Sequence, residues 1–139
     1  MDLISFHSED ISFNLDHTQT TSGWIQLCIQ KERKELGELA IIFCSDDYLH
    51  KMNVTYLNHD TLTDVITFDY SEHPVVSGDV FISIDRITEN AKTHKTSFEN
   101  ELKRVIIHGV LHLIGFGDKS PETKEVMTSK EDFYLNLHP

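Results

Sequence analysis

The sequence predicts an α+β fold: a single domain with one small mixed β-sheet packed by helices, and a metal site on a buried helix and the turn after it. Three observations point there. The 139 residues suit one domain with a real core. Short apolar or alternating runs of strand composition are interspersed with longer segments of helical spacing. One of those segments, from Val105 to Ile114, is apolar on all sides and carries two histidines four residues apart.

Taken in order, Ile4–Phe6 and Ile11–Leu15 read as short strands, the second by the alternation Ile11, Phe13, Leu15. A helix is expected from about Thr21 to Leu36, with Trp24, Leu27 and Cys28 on its apolar face, a charged end from Lys31 to Glu35, and Gly37 as its stop. Leu39–Cys44 is a central strand. Ser45 then caps a helix over about Asp46–Leu57, with Tyr48, Leu49, Met52 and Tyr56 as its core stripe. Asn58–Asp64 is polar and irregular. Val65–Phe68 and Gly78–Ile84 are strands, separated by a loop at Pro74. Asp85 is the expected cap of the next helix, which runs to about Lys95. Thr96-Ser97-Phe98-Glu99 has the form of a capping box and starts the long apolar helix. Ser120-Pro121 starts the last helix, which runs to about Asn136.

Hydrophobic content of 39% and charged content of 25% describe an ordinary soluble protein. No run approaches a membrane span, so no membrane partner is expected, and the first residues lack a signal-peptide profile; a cytoplasmic location is the expectation. Cys28 and Cys44 have no metal-type spacing and read as reduced core residues. The net charge of −11 argues against broad, nonspecific nucleic-acid binding. The exception is Arg86–Arg104, where five basic residues face three acidic ones. A solvated helix face explains such a segment more often than a phosphate track does.

The chemistry concentrates at His108-Gly109-Val110-Leu111-His112-Leu113-Ile114-Gly115-Phe116-Gly117-Asp118. Side chains at i and i+4 share a helix face about 5–6 Å apart at Cβ, which lets two imidazoles close on one ion. Buried imidazoles need partners, and a shared metal satisfies both at once. Gly115 and Gly117 stop the helix, and the returning chain can bring Asp118 to the same ion. Structural zinc sites have four ligands and are rich in cysteine. Here there are three, His108, His112 and Asp118, which is the catalytic arrangement with a position left open. Hydrolysis is the natural reaction class. The spacing overlaps that of the zinc peptidases, but their general-base glutamate follows the first histidine, and here that position is Gly109. Peptide hydrolysis is therefore disfavoured. Phosphodiester cleavage asks less of a local carboxylate, because electrostatic stabilisation carries more of the burden.

The run from His108 to Phe116 resembles the HGxLHLxG-aromatic signature of the YbeY endoribonucleases, metal-dependent rRNA maturation factors. Met52-Asn53-Val54-Thr55-Tyr56, Asp60 and Thr63-Asp64-Val65-Ile66-Thr67-Phe68 are similar to that family's LNxxYR…D…TDVLSF segment, and Gly78-Asp79-Val80-Phe81-Ile82-Ser83 to its GDIxIS strand. The resemblance runs from about residue 39 to the end. It implies one YbeY-like metal-dependent hydrolase domain over 1–139 that cuts single-stranded RNA in rRNA maturation and ribosome quality control, with one Zn2+ ion as cofactor. The implied partners are rRNA of the small ribosomal subunit, ribosomal proteins and assembly GTPases.

Two positions depart from the family pattern. The signature ends in Asp-His, whose histidine is the third ligand, and here Gly117-Asp118 stands there, making Asp118 the ligand. A carboxylate is an acceptable zinc ligand at about 2.0–2.2 Å. The arginine that follows the tyrosine of the second block is Leu57 in this chain, which leaves the usual phosphate contact to Lys103, Arg104 or Lys119. Asn53 and Asp64 read locally as turn or helix-packing polar groups, and the resemblance places them in the cleft. The general base is unassigned. Besides the peptidase, two other readings stand: a metal hydrolase for a small substrate, and a non-enzymatic ribosome-assembly factor whose metal only holds the turn.

Overall fold

A four-stranded sheet in the order β1-β2-β4-β3 carries the structure, a computed structural model that describes residues 3–139. Its elements are β1 (Ile4–Ser8), α1 (Thr18–Lys31), β2 (Glu35–Cys44), α2 (Asp46–Leu57), β3 (Val65–Asp69), β4 (Val75–Ser83), α3 (Ile84–Thr93), α4 (Phe98–Ile114) and α5 (Pro121–Leu137). β1, β2 and β4 are mutually parallel, and β3 runs antiparallel along β4 at the sheet edge. The fold is the single-domain α+β arrangement with one mixed sheet that the sequence predicts.

The centre of β2 explains the layering. Ile41–Cys44 is a continuous buried run, the signature of a strand covered on both faces. On one face, Leu39, Ile41, Phe43, Val80 and Ile82 meet α1 through Trp24, Ile25, Cys28 and Ile29, and α4 through Ile106, Val110 and Leu113. On the other, Cys44 and Ile66 meet Leu49 of α2, with Tyr48, Met52, Phe68 and Phe81 around them. α4 thus lies between the sheet and α5, which explains why almost every side chain from Val105 to Ile114 is buried. Both cysteines are buried free thiols, and desolvation pushes each up to about 12.

Several local expectations hold and several are corrected. Ser45 caps α2 by accepting the Tyr48 N–H, and Ser120 caps α5 with Pro121 at its first position. Ile11–Leu15 is not a strand. Its alternation reports packing instead, since Phe13 sits edge-on to Phe43 and Phe98. α1 ends at Lys31, and Leu36 and Gly37 belong to β2. Gly37 is a site of close approach, where a Cβ would lie 2.2 Å from Ser77 Oγ. β4 begins at Val75, before Gly78. Ser83, not Asp85, caps α3, and Asp85 instead accepts the Asp46 N–H. Ser97 caps α4 through the Asn100 N–H, so Thr96 and Glu99 form no capping box; the box occurs at Ser120 and Thr123. Tyr56 is 67% exposed rather than core.

Candidate metal centre

His108 and His112 are presented by the last two turns of α4, and the turn after it completes the group. Gly115 takes φ 126° and its N–H bonds the carbonyls of Leu111 and His112; Phe116 N–H also returns to Leu111. Only glycine adopts that φ at little cost. The reversal has two consequences. The Phe116 carbonyl lies 2.9 Å from His112 Nδ1, and Asp118 comes back over the histidines. Its Oδ2 lies 3.3 Å from Nε2 of each.

Both imidazoles are oriented through Nδ1. His112 donates Nδ1–H to the Phe116 carbonyl, and His108 donates Nδ1–H to Glu131 Oε2 at 2.6 Å. With Nδ1–H donated in each, the two Nε2 atoms carry lone pairs in the neutral rings. They face each other at 2.9 Å, with the Asp118 carboxylate beside them. Three such atoms converging this closely repel unless a proton or a metal ion lies among them. Four-coordinate donors at about 2.0–2.2 Å from an ion are about 3.3–3.6 Å from each other. The Asp118 separations already fall in that range, and the histidine pair needs to open by a few tenths of an ångström. The donor set therefore fits a metal ion, and it is the group of this kind found among the described residues. Burial opposes the charging of His108, but the Glu131 hydrogen bond and the charges of Glu131, Asp118 and Asp64 outweigh it, and its pKa lies above the ordinary 6.5.

Gly109 packs α4 onto the sheet: a Cβ there would lie 2.6 Å from Val80 Cγ1. The position that carries the peptidase glutamate is thus closed by packing as well as lacking a carboxylate.

A model of the family described as endoribonuclease YbeY matches residues 3–138. The chain belongs to the endoribonuclease YbeY family. Endoribonuclease YbeY of Flavobacterium johnsoniae is 52% identical over 130 residues, covering 94% of this chain and 93% of its own length. The protein of the same name from Flavobacterium psychrophilum is 50% identical, covering 97% of this chain and 96% of its own length. The solution structure of TM1509 from Thermotoga maritima is 26% identical and covers 96% of this chain and 87% of its own length, with a TM-score of 0.66. The resemblance seen from residue 39 onward therefore extends over nearly the whole chain, and the YbeY signature coincides with the convergent histidines.

The other residues singled out from the sequence are placed as follows. The Asp64 carboxylate lies within electrostatic reach of His108, 3.4 Å from Asn90 Nδ2, and burial raises its pKa. Asn53 is buried and donates to the Thr61 carbonyl, so it shapes the loop that leads to Asp64. Arg104 is engaged by two carboxylates, Glu131 at 2.8 Å and Asp132 at 2.7 Å. Lys103 lines a cleft with Phe13, Leu102, Ile106 and His138, and Lys119 is exposed next to Asp118. His138, the next imidazole downstream, sits edge-on to Trp24. Sequence reasoning missed Glu131. The signal was available: Met127, Glu131 and Tyr134 are the buried positions of α5, at i, i+4 and i+7, and a carboxylate in such a stripe requires a partner.

Proposed function

We propose that this YbeY-family chain is a zinc-dependent endoribonuclease that cuts single-stranded RNA during rRNA maturation in the cytoplasm. In this reading one Zn2+ ion is held by Nε2 of His108, Nε2 of His112 and the carboxylate of Asp118. One observation carries the reading: within an endoribonuclease family, three donor atoms converge at 2.9–3.3 Å with both Nδ1 atoms committed elsewhere. When bound, zinc supplies Lewis acidity toward a phosphoryl oxygen and lowers the pKa of water.

The chain's own residues do the rest. The Phe116 carbonyl and Glu131 fix the imidazole planes, so the donor atoms are in place before substrate arrives. Asp118 contributes a charge where the family signature has a neutral ring, which lowers the net charge of the loaded site by one unit. Asp64, held by Asn90, sits within electrostatic reach of His108. Lys119, exposed next to Asp118, is the nearest cation in sequence for a flanking phosphate, with Lys103 further along α4. Small-subunit rRNA is the proposed substrate, with ribosomal proteins and assembly GTPases as accompanying partners.

The test combines metal analysis with cleavage of a single-stranded RNA by parent, His108→Ala and His112→Ala, with and without chelator. Bound zinc and chelator-sensitive cleavage in the parent, both lost in the variants, are expected. Zinc-loaded protein that binds ribosomal subunits without cutting RNA would instead favour an assembly factor.

A further inference from the structure

All three proposed ligands belong to α4 and its turn, yet the group that orients His108 comes from α5. We propose that Glu131, braced by Arg104, is a positioning residue that selects the metal-binding face of His108, making α5 part of the metal centre.

Glu131 is seated for this task. Its side chain is 9% exposed, and each oxygen has one partner: Oε2 takes His108 Nδ1–H at 2.6 Å, and Oε1 takes Arg104 Nη1–H at 2.8 Å. Arg104 and His108 are themselves i and i+4 on α4, so a single carboxylate from the neighbouring helix spans one turn of the metal helix. Asp132 holds the guanidinium from the outside at 2.7 Å. Met127 and Tyr134, both buried, lock α5 in register one turn either side of Glu131. A buried carboxylate is costly unless paired and hydrogen-bonded, and here both requirements are met by the two groups it orients.

The consequence for His108 is a choice of tautomer. A ring that donates from Nδ1 to a carboxylate presents Nε2 as a bare lone pair, and the carboxylate makes that nitrogen a stronger donor. Glutamine cannot reproduce this. With its oxygen toward His108 it turns its amide N–H groups against Arg104, and in the reverse orientation it offers His108 Nδ1 a donor, which favours the wrong tautomer. Outer partners of this kind typically change metal affinity by about 10–100-fold.

This proposal rests on the zinc reading above, and two measurements separate them. Zinc affinity is measured by competition with a chromophoric chelator for parent, Glu131→Gln, Glu131→Ala and Arg104→Met. Losses of about 10–100-fold are expected for the Glu131 variants, a smaller loss for Arg104→Met, and no further loss when Arg104→Met is added to Glu131→Gln. The second measurement is nitrogen-15 NMR of the metal-free protein at pH above the His108 pKa. It should find His108 protonated at Nδ1 in the parent and redistributed toward Nε2 in the Glu131 variants, while His112 stays protonated at Nδ1. Glu131→Gln preserves volume and serves if Glu131→Ala folds poorly. Unchanged zinc affinity in a folded Glu131→Gln protein, or an unchanged His108 tautomer, would overturn the proposal while leaving the zinc reading intact. A parent that binds no zinc would overturn both.

Discussion

Gly109 offers a contact whose size can be tested directly. A methyl group there would sit 2.6 Å from Val80 Cγ1, far inside van der Waals contact, with Val65 Cγ2 and Val80 Cγ2 at 3.5 Å. Val80 is fully buried and β-branched, so it cannot swing clear. Overpacking of this kind costs about 1–3 kcal/mol. Replacing a helical glycine by alanine returns about 1 kcal/mol. Gly109→Ala should therefore destabilise the protein by up to about 2 kcal/mol. Val80→Ala removes two buried carbons, about 1.6 kcal/mol of transfer free energy, plus the cavity they leave. In the double variant the new methyl enters the space that Val80 vacates. Its loss should be smaller than the sum of the single losses by about 1–3 kcal/mol. Urea unfolding of the metal-free proteins, with unchanged m-values, reads all three. Additivity within about 0.5 kcal/mol would refute the contact. By the same steric logic Gly109→Glu, which restores the peptidase glutamate, should lower stability further and yield no proteolysis.

Asp118→Ala should abolish stoichiometric zinc binding and Asp118→His should retain it, as read by metal analysis after dialysis; full zinc content in the alanine variant would remove Asp118 from the ligand set. The pH dependence has a definite sign. His108 has a raised folded-state pKa, so the metal-free native state holds its proton more tightly than the unfolded chain. That contribution to stability is complete below 6.5 and is lost as pH rises through the folded-state pKa. Zinc affinity should rise over the same window, because the proton and the metal compete for Nε2. Thermal melts and chelator competition across that range check both, and a metal-free stability that increases through the window would contradict the shift. For RNA, Lys119→Glu should weaken single-strand binding and lower the log–log salt slope by roughly 0.7, with Lys103→Glu the comparison for a track along α4; an unchanged slope in both would place the phosphate path elsewhere.

The fold class and the convergence of His108, His112 and Asp118 were legible because they depend on local pattern. The all-apolar α4, the i and i+4 histidines, and a glycine stop followed by a carboxylate are spacing features, and each survives in the structure. Ser45 and Ser120-Pro121 were legible for the same reason, since a cap is a local hydrogen bond. What failed depends on partners distant in sequence. Gly37 reads as a helix stop until Ser77 is known to lie against it in the next strand. Phe13 alternates like a strand residue, but it packs edge-on against Phe43 and Phe98, and among the described residues no strand pairs with it. Arg104 reads as a free cation until α5 brings Glu131 and Asp132 to it, 27 and 28 residues later. Glu131 itself is one carboxylate among many in an acidic sequence, and only its position in the buried stripe of α5 marks it as different.

Zinc titration of the metal-free protein, read as the rate of single-stranded RNA cleavage, tests the central claim most directly. Cleavage should be absent without metal, rise in proportion to added zinc, and reach its plateau at one equivalent, with His112→Ala inactive throughout. A cleavage rate that is the same before and after zinc addition, or that survives in His112→Ala, would contradict a catalytic centre built on His108, His112 and Asp118.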